Sequence, residues 1–217
     1  MTMRSVHSHQ RGTSCRLDIV VSTYEQPFWI DTLLSSLAVQ SRNDFRVVIV
    51  HDGPSTASRK RVNLLRRWTG LDILYAETPV RHHDWGHSPR AFALATIVSS
   101  PLVLFTNADN YYVPIFVETA LPPFDDPDVG VVFFDMLHSH AREENVPPGP
   151  YGYFRTRFES CQCDLGAFVT RTDIARAVGF NHRHNEADAA FIEEVKAYRQ
   201  HRPFAIEKID RVLFVHN

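Results

Sequence analysis

The 217-residue chain sets 23 Lys and Arg against 25 Asp and Glu, a formal net charge of -2, and is 44% hydrophobic, 22% charged and 12% aromatic. That near-balance excludes a protein held to nucleic acid by bulk charge, so no nucleic-acid partner is expected. The length suits one α/β domain, and no apolar run reaches the roughly eighteen residues of a membrane span.

The Ser-, His- and Arg-rich residues 1–16 lack the apolar segment of a signal peptide and read as a disordered tail. Leu17–Val21 reads as a buried strand broken only by Asp18, ending in Ser22-Thr23-Tyr24-Glu25-Gln26. A helix is expected from near Pro27, with Ile30, Leu33, Leu34 and Leu37 at helical spacing. Phe45–Val50 is a second strand running into the turn His51-Asp52-Gly53-Pro54-Ser55. The helix over about Thr56–Trp68 carries Arg59, Lys60, Arg61, Arg66 and Arg67, which read as a solvated outer face. A third strand, Leu71–Ala76, precedes an aperiodic polar loop, Pro79–Arg90, and a small-residue helix, Ala91–Ser99.

Pro101 breaks that helix and starts the apolar run Leu102-Val103-Leu104-Phe105, which opens into Thr106-Asn107-Ala108-Asp109-Asn110. A carboxylate at such a strand end can hold a divalent cation with most of its shell free, although an Asn-Asp-Asn turn reads the same way. Strand and helix thus alternate four times, the pattern of βαβ units in a parallel sheet, where ligands bind at the carboxyl ends of the strands. Thr23-Tyr24, Asp52-Gly53 and Asn107–Asn110 occupy three such ends. No G-x-G-x-x-G or G-x-x-x-x-G-K-[ST] occurs, which sets aside dinucleotide and P-loop sites.

In the second half, Val129–Phe134 reads as a fifth strand, and Asp135–Glu159 as a long polar loop with Tyr151, Tyr153 and Phe154. Asp164-Leu165-Gly166-Ala167 leads toward a helix over Thr172–Val178 that stops at Gly179. Asn185-Glu186-Ala187-Asp188 precedes a helix with Phe191, Ile192 and Val195 on one face, and Phe204–Ile206 and Val212–Asn217 close the chain. The three cysteines, Cys15, Cys161 and Cys163, suit a reducing, cytoplasmic compartment. His138-x-His140 with Cys161-x-Cys163 offers zinc ligands by type, but ordinary polar loops explain that spacing better. The His82-His83 and His182/His184 pairs suit an acceptor pocket.

In this order the motifs resemble those of the family 2 glycosyltransferases. Val20-Val21-Ser22-Thr23-Tyr24 is similar to the family's opening strand and P-T-Y loop, and His51-Asp52-Gly53-Pro54-Ser55 to its D-D-G-S turn. Asn107-Ala108-Asp109 is similar to the D-x-D metal motif with its first carboxylate replaced, Asp164-Leu165-Gly166-Ala167 to the acceptor-side segment, and Glu186-Ala187-Asp188 to the E-D base motif. The resemblance implies an α/β, GT-A nucleotide-diphospho-sugar transferase fold: a Rossmann-like, mainly parallel sheet flanked by helices. One domain over 17–217 is expected, with the nucleotide-sugar half at 17–110 and the acceptor half at 111–217.

It implies inverting, hexosyltransferase-type transfer from a nucleoside diphosphate sugar, UDP favoured, to an acceptor hydroxyl, with Mn2+ or Mg2+ as cofactor. Such a protein needs no membrane span, and peripheral membrane contact is compatible with it. Asp109 would ligate the metal beside Asn107 and Ala108. His216 would be a further ligand or simply the polar end of a buried strand. Arg90 would offset the diphosphate charge or lie on a helix surface. Asp52 would accept the N3–H of uracil or thymine, or serve a guanine base instead, with Thr23 and Tyr24 flanking the base. Asp188, ahead of Glu186, would be the general base that inversion needs. A catalytically silent sugar-nucleotide binder and a nucleotidyltransferase are the rival readings.

Overall fold

Strand β1 (Leu17–Thr23) is buried from Leu17 to Ser22 because it lies in the interior of the sheet, between β2 (Phe45–His51) and β4 (Leu102–Asn107). Both neighbours run parallel to it, which explains why these strands are apolar on both faces. The computed structural model describes residues 15–25, 27–138, 151–181 and 187–217, and for 187 and 188 the backbone alone. Within it, α1 (Ile30–Ala38), α2 (Thr56–Thr69), β3 (Ile73–Glu77) and α3 (His87–Thr96) complete the first half. Then follow β5 (Tyr111–Tyr112), α4 (Phe116–Ala120), β6 (Val129–His138), β7 (Gly152–Phe154), β8 (Phe168–Arg171), α5 (Thr172–Val178), α6 (Ala187–His201) and β9 (Ala205–His216).

The strands form one sheet in the order β3-β2-β1-β4-β8-β6-β9-β5, with β7 also paired to β6. The first four are parallel, whereas β8, β7 and β5 pair antiparallel with their neighbours, so the sheet is mixed rather than simply parallel. Register levels the functional ends: Ser22 lies opposite Asn107, and Thr23 opposite His51.

Asp18, the one charge in β1, is fully buried. Arg46 holds its carboxylate through two bonds of 2.9 Å, and the backbone N–H groups of Ser99 and Ser100 donate to it at 2.7 and 3.0 Å. That full set of donors is what makes a buried carboxylate tolerable. A chain of rings, Phe105, Phe180, Phe191 and Phe168, locks β4 to α6 and β8. A second, Tyr112 with Phe116 and Phe214, ties β5 to α4 and β9.

Several boundaries differ from expectation for local reasons. Arg16 already belongs to the fold: its N–H donates to the Asp44 carbonyl, and its side chain pairs with Asp125 at 2.8 Å. Helix α1 begins at Ile30, after a turn over 27–29. Helix α3 starts at His87, four residues early, because the Asp84 carboxylate accepts the Ser88 N–H at 2.9 Å. The two closing apolar segments are one strand, β9, whose pairing with β6 shifts register around Asp135. Part of the expected 135–159 loop is strand: β6 reaches His138 and β7 pairs back on it.

Candidate active site

At the carboxyl ends of β1, β2 and β4 lies a cavity of about 510 Å3. Thr23, Tyr24, Asp52, Arg90, Asn107, Ala108 and Asp109 all line it, so the topology brings together every cofactor-binding residue named from the sequence.

Its floor is organised by Asn107. The Asn107 Oδ1 accepts from Arg90 Nη2 at 2.7 Å and from Ser22 Oγ at 3.1 Å. Arg90, only 1% exposed in the first turn of α3, also donates to the Trp85 carbonyl at 3.2 Å. Gly86 is obligatory beside it: φ is +87°, and a Cβ there would stand 2.6 Å from Ser22 Oγ. Asn107 therefore holds the guanidinium without neutralising it, as an aspartate would. Its oxygen serves two protein donors, Arg90 and Ser22.

The second wall carries Asp52, which is 5% exposed. Its carboxylate accepts the backbone N–H groups of His82 at 2.9 Å and His83 at 3.3 Å, and the Thr78 hydroxyl at 3.3 Å. This grip holds the loop from which Arg81 lays its guanidinium 3.5 Å from the centroid of the Tyr24 ring. His51 stands where the resembling turn has its first acid. Its Nε2 accepts the Glu25 N–H at 3.2 Å, so the proton sits on Nδ1, 2.7 Å from the Gly53 carbonyl. The two loops are thereby joined by a neutral imidazole. Glu25, His83 and Trp85 all have φ near +50° and all line the cavity, which concentrates backbone strain at this site.

Asn217 donates from its side chain to the Asp109 carbonyl at 2.5 Å and from its backbone to Asn110 Oδ1 at 3.3 Å. His216 does not line the cavity. Its Nε2 is 3.3 Å from Asp164 Oδ2, and its ring stacks on His138 with centroids 4.8 Å apart. Burial pushes the Asp164 carboxyl up, but the His216 bond and charge, the Gly166 N–H and the Arg90 charge outweigh it, leaving the group below its usual range. Gly166 is fixed by crowding, since a Cβ would lie 2.5 Å from the Phe214 ring, and its carbonyl accepts from Tyr112 at 2.9 Å.

The profile of the family described as "Glycosyl transferase family 2" matches residues 18–174. The chain belongs to glycosyl transferase family 2. No curated protein matches the sequence. Among solved structures the chain resembles residues 1–349 of S. aureus TarS, with a TM-score of 0.70 and 19% identity over 93% of this chain and 60% of that one. The same TarS segment in complex with UDP gives 0.71 and 21%, over 93% and 60%. The mannosyltransferase PcManGT from Pyrobaculum calidifontis in complex with GDP-Man and Mn2+ gives 0.67 and 15%, over 94% and 57%. This chain thus spans about 60% of the length of the TarS segment, and these likenesses establish the GT-A fold.

For a family 2 glycosyl transferase the remaining site questions concern the metal and the base. Among the described residues no three His, Cys, Asp or Glu side chains form a metal-holding group. The ligands expected from the sequence are Asp109, which lines the cavity with Glu25, Asp52 and Asp84, and the His216 imidazole, which Asp164 already engages. Such a set fits a hard cation that takes most of its oxygens from phosphates and water, and does not fit a closed resident site. The zinc reading gains nothing: His138 stacks on His216, Cys163 is buried, and Cys161 is exposed, while His140 lies outside the described residues. Asp188 is the second residue of α6, but its side chain, like Glu186, His182 and His184, lies outside the described residues.

Sequence reasoning missed Ser22, His51, Arg81 and Gly86. Gly86, in the Asp84-Trp85-Gly86-His87 run, was the detectable signal, as a glycine before a helix in an otherwise aperiodic loop.

Proposed function

We propose that this chain transfers a sugar from a nucleoside diphosphate sugar, UDP favoured, to an acceptor hydroxyl with inversion. The observation that carries the reading is the Ser22–Asn107–Arg90 cluster on the floor of the cavity beside Asp109. It sets a buried, fixed cation next to a carboxylate at the strand ends where a diphosphate is bound in such sheets.

In this reading the base lies at the Tyr24 and Arg81 end, where an aromatic face and a guanidinium already stack. Asp52 supports that end by holding the 81–83 loop; its Oδ1 accepts from both His82 and Thr78, whereas Oδ2 accepts from His83 and keeps a second lone pair for the N3–H of a base. Arg90 balances charge as it grows on the departing diphosphate. Asp109 would hold a divalent cation, Mn2+ or Mg2+, which when bound would supply Lewis-acid stabilisation of the same charge. Asp188, at the start of α6, takes the proton of the acceptor hydroxyl. Among the described residues no helix is long and apolar enough to cross a membrane.

A silent sugar-nucleotide binder is the second reading, favoured by the amide at Asn107 in place of a carboxylate. A thermal-shift screen of nucleotide sugars followed by a nucleotide-release assay separates the two. Stabilisation with release on adding acceptor supports transfer, stabilisation without release under any acceptor supports the binder, and no stabilisation by any nucleotide sugar overturns both.

A further inference from the structure

Helix α2 presents a surface that the cavity does not use. Its 14 residues include Arg59, Lys60, Arg61, Arg66 and Arg67 and no acid. Two of these cations are matched, Arg59 by Glu77 at 2.5 Å and Arg61 by Asp31. Lys60 and Arg67 point away from the fold, and neither makes an ion pair among the described residues. Between them sit Leu64, 48% exposed, and Trp68, 70% exposed. Positions 60, 64, 67 and 68 share one face of the helix.

The face continues off α2. The Arg61 guanidinium lies 5.0 Å from the centroid of Phe28, which is 67% exposed. The next residue, Trp29, is 51% exposed and lines the cavity. An apolar strip flanked by cations therefore runs from the outer end of α2 to the cavity mouth, on a chain whose net charge is -2.

Lysine and arginine interleaved with exposed tryptophan and leucine on one helix face is the composition of an interfacial helix, with rings at headgroup depth and cations on lipid phosphates. The aliphatic Leu64 has no base to stack on, which favours lipid over single-stranded nucleic acid. We propose that the face formed by Phe28, Lys60, Leu64, Arg67 and Trp68 docks the protein on an anionic lipid surface, with the cavity mouth beside Trp29 turned toward the bilayer. This docking is independent of the transfer reaction and is tested without it.

The test is co-sedimentation of the full chain with vesicles of phosphatidylcholine alone and of phosphatidylcholine mixed with phosphatidylglycerol. The protein is expected to pellet with the mixed vesicles, to remain in solution with phosphatidylcholine alone, and to be released by salt. Each cation near an anionic surface contributes about fivefold to partitioning, so the Lys60→Ser, Arg67→Ser double variant should bind about 25-fold more weakly. Trp68→Ala should weaken binding at least about fivefold. Both variants should keep the parent melting temperature and UDP affinity, because these side chains lie outside the core and the cavity. Failure of the parent protein to bind mixed vesicles, or unchanged binding by both variants, would overturn the proposal. Equal affinity for single-stranded RNA at the same salt would overturn the lipid assignment as well.

Discussion

Arg90 Nη2 lies 2.7 Å from Asn107 Oδ1, so a buried guanidinium is oriented by a neutral amide at the strand end where the family pattern has an acid. In the proposed function that positive charge serves the donor diphosphate. Arg90→Ala should therefore lower kcat/KM about a hundredfold, and Arg90→Lys should restore only part of it, because an ammonium cannot hold both Asn107 and the Trp85 carbonyl in the same fork. Steady-state kinetics across the two variants check this, and full activity in Arg90→Ala would remove Arg90 from the site.

Gly86 and Ser22 are coupled by contact. Gly86→Ala places a Cβ against Ser22 at a backbone angle that disfavours it, and should cost about 2 kcal/mol of stability. It should also weaken donor binding by displacing the Ser22–Asn107 bond. Adding Ser22→Gly should recover part of the stability, since the overlap is with the Ser22 side chain. Denaturant midpoints of the single and double variants measure that non-additivity.

Asp52 acts mainly through the loop it holds. Asp52→Ala frees the N–H groups of His82 and His83 and should release Arg81 from its stack on Tyr24. The expected kinetic signature is a rise of about tenfold in the donor KM with a smaller change in kcat. A loss confined to kcat would place Asp52 in the chemistry instead.

Asp164 gives the fold an acid-sensitive contact. Its folded pKa lies below the usual value of 3.8. The resulting stability is complete above about pH 4 and is lost as pH falls through the folded value. Asp164→Asn should thus cost about 2 kcal/mol at neutral pH and make melting temperature fall less steeply below about pH 4. Parallel acid titrations of parent and variant decide the point.

The fold was legible where burial on two faces left a continuous apolar run, as in β1, β2 and β4. It was illegible where tertiary contacts overrode local pattern. Glu207, Lys208, Asp210 and Arg211 split β9 in the sequence, yet the strand continues because Lys208 meets the buried Asp135 at 3.0 Å. Asp135 also accepts from Tyr153 at 2.6 Å, a pairing no periodicity announces. The first turn of α3 was hidden in the same way, since its Ser88 N–H is taken up by Asp84 in a loop without period. At the site, motif order located Asp109, Asn107 and Asp52 but not Arg81, which reaches Tyr24 across 56 intervening positions of chain, so that only the fold brings them together.

In the proposed function Asp109, beside the Ser22–Asn107–Arg90 floor, would hold the divalent cation that stabilises a donor diphosphate. Calorimetric titration of UDP with Mn2+ present and with it chelated tests this most directly, on the parent protein and on Asp109→Asn. The account predicts binding that weakens at least about tenfold on chelation and equally in Asp109→Asn. UDP affinity indifferent to both the metal and Asp109 would contradict it.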